Sequence, residues 1–159
     1  TTASTIDSFL AFRTVADETV SERLRIDNDG LKFNGDTAAA NGLDDYEEGQ
    51  WTGSPTAGAS TALNVADEYY TKIGNQVTIQ CTINFSGASG YLLIAGLPFA
   101  ANPAAVGIGR EDATSGYAVY GRVAAGSTNL YLYYAGATGN ATAFQVSAGN
   151  MRYSMTYLT

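Results

Sequence analysis

The chain has 159 residues and a formal net charge of −7, with eight Lys and Arg, fifteen Asp and Glu, no histidine and one cysteine. Such a field repels phosphate backbones and anionic lipid surfaces, which argues against nucleic-acid and membrane-surface partners. Without histidine, Ser-His-Asp and Cys-His catalysis and the common zinc sites are excluded, and a lone cysteine closes no intrachain disulfide.

Low charged content beside 18 Gly and 11 Tyr is the composition of a turn-rich, all-β extracellular protein. No stretch approaches the roughly 18 apolar residues of a membrane span. No secretory signal pattern opens the chain. The first residue is Thr1, so a processed product, a fragment and the end of a longer protein all stay open as its origin.

Residues 1–42 read as an arm, or shaft segment. Ile6, Phe9, Leu10, Phe12, Val15 and Val20 are scattered among polar residues. Arg23-Leu24-Arg25-Ile26-Asp27 alternates, with Leu24 and Ile26 on one face. Asn28-Asp29-Gly30 supplies a turn, Leu31-Lys32-Phe33 returns, and Asn34-Gly35 turns again. This predicts a small hairpin, which is marginal alone and must bury its apolar face elsewhere. Residues 36–42 are a connector with a short helical turn.

Residues 43–68 read as a junction and loop. Asp44, Asp45, Glu47 and Glu48 crowd it, and Gln50–Gly53 suits a strand. These acids are expected to cap turns or pair with Arg23, Arg25 or Lys72 of a neighbouring chain; a calcium site is the weaker alternative. Ser54 to Leu63 reads as a loop.

Residues 69–159 form the head. Gly74-Asn75 turns between Tyr70–Ile73 and Gln76–Phe85, whose odd positions are apolar and even positions Thr, Gln or Asn. Cys81 lies on that apolar face and reads as a buried small hydrophobe. Tyr91–Leu97, Ala104–Gly109, Gly116–Val123, Asn129–Ala135, Thr142–Ser147 and Asn150–Leu158 follow, separated by turn residues. Eight short strands predict an antiparallel sandwich of jelly-roll type. Tyr131 and Tyr133 lie opposite Leu130 and Leu132, with Tyr134 at the end of the inner face. Tyr153 and Tyr157 share a core face with Met151 and Met155.

Four segments carry a family resemblance. Leu43-Asp44-Asp45-Tyr46-Glu47-Glu48-Gly49-Gln50-Trp51-Thr52 resembles the junction near the C-terminal heads of bacteriophage tail-fibre and virion-fibre proteins. Phe12-Arg13-Thr14 followed by Glu22-Arg23-Leu24-Arg25-Ile26-Asp27-Asn28-Asp29-Gly30 is similar to a segment of their shafts. Tyr70-Thr71-Lys72-Ile73-Gly74-Asn75-Gln76-Val77 and Gly96-Leu97-Pro98-Phe99 resemble a strand pair and a corner of their heads. In order, these cover about residues 12–99; the last third carries no such motif. The resemblance implies a trimeric fibre with an intertwined shaft and a β-rich head, found on the virion.

Three wrapped copies would bury Leu24, Ile26, Leu31 and Phe33, each worth about 1.5–3 kcal/mol. Tyr46 and Trp51 are expected as plugs between arm and head, and count with those four as oligomer-interface residues. Ligand binding is expected of Tyr117, Tyr120, Tyr131 and Tyr133 with Arg110, Glu111 and Asp112 beside them. Aromatic rings stack on sugars, and loops at 86–90, 110–116, 124–128 and 136–141 are where a β scaffold carries specificity. The same tyrosines can instead line trimer contacts or the core.

The leading expectation is a virion fibre that binds a host-surface glycan or protein, with copies of itself and other virion proteins as partners. A purely structural fibre or decoration protein is the alternative. A polysaccharide depolymerase working through Asp44, Asp45, Glu47, Glu48, Asp67, Glu68, Glu111 or Asp112 comes third. No cofactor or metal is expected, and the glycosylation-like triplets at Asn84 and Asn140 read as chance matches.

Overall fold

The computed structural model describes residues 8–57, 62–112, 116–135, 141–142 and 144–159. Ile6, Asn140 and nearly all of the expected loop at 136–141 lie outside these. The chain forms two compact units, Thr1–Tyr46 and Glu47–Thr159, so the boundary falls inside the expected junction.

The first unit is a three-stranded antiparallel meander: β1 (Leu10–Ala16), β2 (Thr19–Asp27) and β3 (Gly30–Phe33). The expected hairpin is β2–β3, and β1 adds a strand where only scattered apolar residues were read. Asp17 and Glu18 both take positive φ, which makes a two-residue hairpin turn. Asp27 Oδ1 accepts the Asp29 amide in the next turn, and Gly30 leaves it at φ +107°. A 3-10 turn, Ala39–Asn41, occupies the expected connector.

Register sorts the side chains. Leu10 faces Ile26, which faces Leu31; Phe12 faces Leu24, which faces Phe33. Six apolar residues therefore form two rows on one face. Leu10, Phe12, Ile26 and Phe33 are exposed there, and Leu24 and Leu31 are half-buried. The other face is ionic. Arg25 donates to Glu22 at 2.8 Å, and its guanidinium lies 4.1 Å from the centre of the Phe9 ring. Lys32, only 1% exposed, reaches Asp27 at 3.0 Å and Asp29 at 2.7 Å. Arg23 donates to Thr14. Within its own sheet, Arg25 is thus engaged by Glu22.

The second unit is all-β and antiparallel. Its strands are β4 (Tyr46–Gln50), β5 (Ser54–Ala57), β6 (Ala62–Ile73), β7 (Gln76–Gly90), β8 (Leu92–Ala95), β9 (Ala105–Glu111), β10 (Ala118–Val123), β11 (Leu130–Ala135), β12 (Ala141–Thr142) and β13 (Phe144–Leu158). They pair in one sheet in the order β4-β6-β7-β13-β9-β10-β11-β8-β5, with β12 on β11. The expected pair of separate sheets is corrected to one continuous sheet. The two last expected strands merge into β13, the expected strand at 50–53 stops at Gln50, and the expected loop from Ser54 holds β5 and the start of β6.

The sheet has to curl. Laid flat, nine strands would put β4 and β5 about 38 Å apart. Yet Trp51–Gly53 alone join them, a reach of about 14 Å at most. Glu68 fastens the seam: its carbonyl accepts the Trp51 amide and its Oε1 accepts the Gly53 amide.

Curling encloses one face. Val77, Ile79, Cys81, Ile83 and Phe85 of β7 are buried with Met151, Tyr153, Met155 and Tyr157 of β13. Leu92, Ile94, Val119, Val123, Leu130, Leu132 and Tyr134 close the core from the other half. Trp51 is 5% exposed within this core, which corrects its expected place at a subunit contact. Strand β9 inverts the usual pattern: Gly107 and Gly109 face inward while Val106 and Ile108 stand 76% and 68% exposed. The Tyr153 ring occupies the inward space, so a β-carbon on Gly109 would lie 2.9 Å from its Cδ2.

Candidate functional site

The outer face of β13, β9, β10, β11 and β8 carries the chemistry. Cross-strand partners run Ser154–Ile108–Tyr120–Tyr133 in one row. A second row runs Val106–Arg122–Tyr131–Leu93. Period-two alternation puts these outside because Gly121, Leu132 and Leu130 face the core. Tyr91, the residue just before β8, packs its ring 5.5 Å from that of Tyr131 and 6.1 Å from that of Tyr133. The result is a tyrosine shelf beside two protruding aliphatic side chains.

Next to the shelf, the face dips into a groove of about 540 Å³, whose lining includes Asp67, Gln80, Thr82, Ile108, Arg110 and Arg152. A bulge shapes one wall. Register shifts between Ala66 and Tyr69, and Asp67 takes φ +54°. Asp67 lines the groove while its neighbour Glu68 holds Gly53. On the opposite wall Arg110 and Arg152 are cross-strand partners. Asp112 lies 3.8 Å from Arg110 and 3.4 Å from Arg152.

The structure brings together three of the four tyrosines singled out from the sequence. Tyr120 and Tyr133 are direct partners and Tyr131 is adjacent, with Arg110 in the groove lining and Asp112 beside it. Tyr117 is elsewhere: its ring contacts the edge of the inward-facing Tyr134. Glu111 is corrected outright. It is fully buried on the inner face of β9, and its carboxylate accepts the Gly116 amide. As neighbours on a strand, Glu111 and Asp112 point to opposite sides and share no site. Tyr91, Arg122 and Arg152 were missed, although the alternation of β10 and β13 already placed both arginines opposite core residues.

The resemblance motifs build the seam instead. The Tyr70 ring packs edge-on against Phe99 at 5.5 Å, and Lys72 Nζ lies 5.3 Å from the centre of that ring. The Phe99 carbonyl accepts the Tyr157 hydroxyl at 3.0 Å. Gly49 leaves room for the Tyr70 ring. Comparison with known proteins finds no family model, no curated protein and no solved structure that matches this chain.

Proposed function

We propose that this chain is the distal part of a bacteriophage virion fibre, a homotrimer joined through its arm, whose head binds a host-surface glycan or protein. One observation carries the reading. The arm presents six apolar side chains in two ordered rows, and four of them are exposed in the single chain. Unpaired apolar faces of this kind are interaction surfaces. The ordered fibre motifs from the arm to Phe99 give the class, and the tyrosine shelf supports an adhesive role.

A virion decoration protein, with contacts only to other virion components, is the second reading. The protruding Val106 and Ile108 favour it, because aliphatic side chains suit protein contacts better than sugar hydroxyls. Two measurements separate the readings. Native mass should report three chains, and a single chain at micromolar concentration rejects the fibre. Host-cell binding competed by surface polysaccharide supports adhesion; saturation of particles without cell binding supports decoration.

A further inference from the structure

We propose that the groove and tyrosine shelf on the outer face of the head are the seat of an acidic polysaccharide, one whose sugars bear carboxylates. This rests on the adhesive reading above and names its ligand class. The head holds four basic residues, Lys72, Arg110, Arg122 and Arg152. Lys72 is buried beside Phe99. The other three all stand on this one face, in a chain of net charge −7.

Arg110 and Arg152 are oriented rather than neutralised. Asp112 sits beside both, yet their side chains remain 72% and 81% exposed. A guanidinium held this way offers its remaining N–H donors in a planar fork that matches a carboxylate. Among the described residues that line the groove Asp67 is the acid, and Asp112 stands beside the two arginines, so three cations face two anions across groove and shelf. Gln80, Thr82 and Ser154 supply hydrogen-bonding groups of the kind that sugar hydroxyls use. From Ile108 the surface continues without a step to Tyr120 and Tyr133, one strand spacing apart each. Strand neighbours lie about 4.8 Å apart, so a sugar carboxylate on Arg152 leaves the next rings of the polymer over the tyrosines. Phosphate backbones would meet the same arginines, but the chain's overall negative field opposes a polyanion of that charge density.

The test uses the whole chain as it assembles, on an array of bacterial surface polysaccharides. Each carboxylate-bearing polymer is printed beside its carboxyl-reduced form, with neutral dextran as reference. Retention of acidic polymers alone, lost on carboxyl reduction and weakened by salt, is expected. Arg110→Ala and Arg152→Ala should each weaken binding about tenfold or more. Arg152→Lys should recover part of the loss, and native mass and melting should not change. Binding indifferent to carboxyl reduction and to both arginines overturns the acidic-sugar inference and leaves the glycan reading standing. Retention of no polysaccharide overturns both. A changed native mass in the arginine variants would mean that this face joins copies of the chain, which also overturns the proposal.

Discussion

Gly121 has no side chain because Tyr153 needs the space: a β-carbon there would stand 2.8 Å from the ring's Cε2 and closer still to its hydroxyl. The ring lies across β9 and β10 together, against Gly107, Gly109 and Gly121. Its hydroxyl reaches Met155 Sδ at 3.4 Å, and burial pushes its pKa well above the tyrosine range. Gly121→Ala should therefore cost about 1–3 kcal/mol through overpacking. Tyr153→Leu, which shortens the side chain, should offset part of that cost in the double variant, a coupling of about 0.5–3 kcal/mol. Urea unfolding followed by Trp51 fluorescence measures the cycle, and strict additivity would show that the ring does not fill this space.

The apolar rows of the arm predict a separation of assembly from folding. Ile26→Asp places a charge on a face exposed in the single chain, so head stability should be unaffected. In an assembly the same carboxylate would be buried without a partner, at a cost of several kcal/mol. Sedimentation should show single chains while circular dichroism and melting of the head hold. An unchanged mass removes this face from the interface.

Acid should loosen the arm. The hydrogen bond from Arg25 lowers the pKa of Glu22 below its ordinary 4.5, and that from Lys32 lowers Asp27 below its ordinary 3.8. Folded values below unfolded ones mean stability that is present above those ordinary values. It is lost as pH falls through them and then through the folded values. Lys32 is raised, first by its hydrogen bond to Asp29, so its contribution fails only above the ordinary lysine range. Amide exchange in Glu22–Phe33 should accelerate below pH 4, beyond the change in β7 and β13. Uniform behaviour of both units would reject these pairs as the acid-labile element.

Cys81 should be chemically silent while the head is folded. Burial pushes its thiol up to about 12, with the Glu68 charge adding to the effect. The thiolate is the reactive form. A neutral thiol reagent at pH 8 should label it only through unfolding, at a rate that rises with denaturant. Prompt labelling in native buffer would place the sulfur at the surface, inside the groove.

Strand β7 was legible because its alternation is complete from Val77 to Phe85, and all five apolar positions are buried. The same holds for Met151, Tyr153, Met155 and Tyr157. Strand β9 was not legible in the same way. There the valine and isoleucine point out and the glycines point in, since an aromatic ring from β13 already fills the interior. Glu111 falls on the inner side for the same period-two reason, and no local signal distinguishes it from the exposed Asp112 one residue on. Trp51 reads as a plug in sequence; only the curl that carries β4 back toward β5 shows that the head's own core receives it.

Local periodicity and turn chemistry by themselves determined the all-β class, the β2–β3 and β6–β7 hairpins and the apolar face of the arm. These depend on residues a few positions apart, where alternation and positive-φ turns act directly. Tertiary structure alone decided that the head is one curled sheet, that glycines lie beneath Tyr153, and that Arg110, Arg122 and Arg152 meet the tyrosines on one surface. Those outcomes depend on which strands become neighbours, and strand order is set by the burial of the whole sheet, not by any one segment of it.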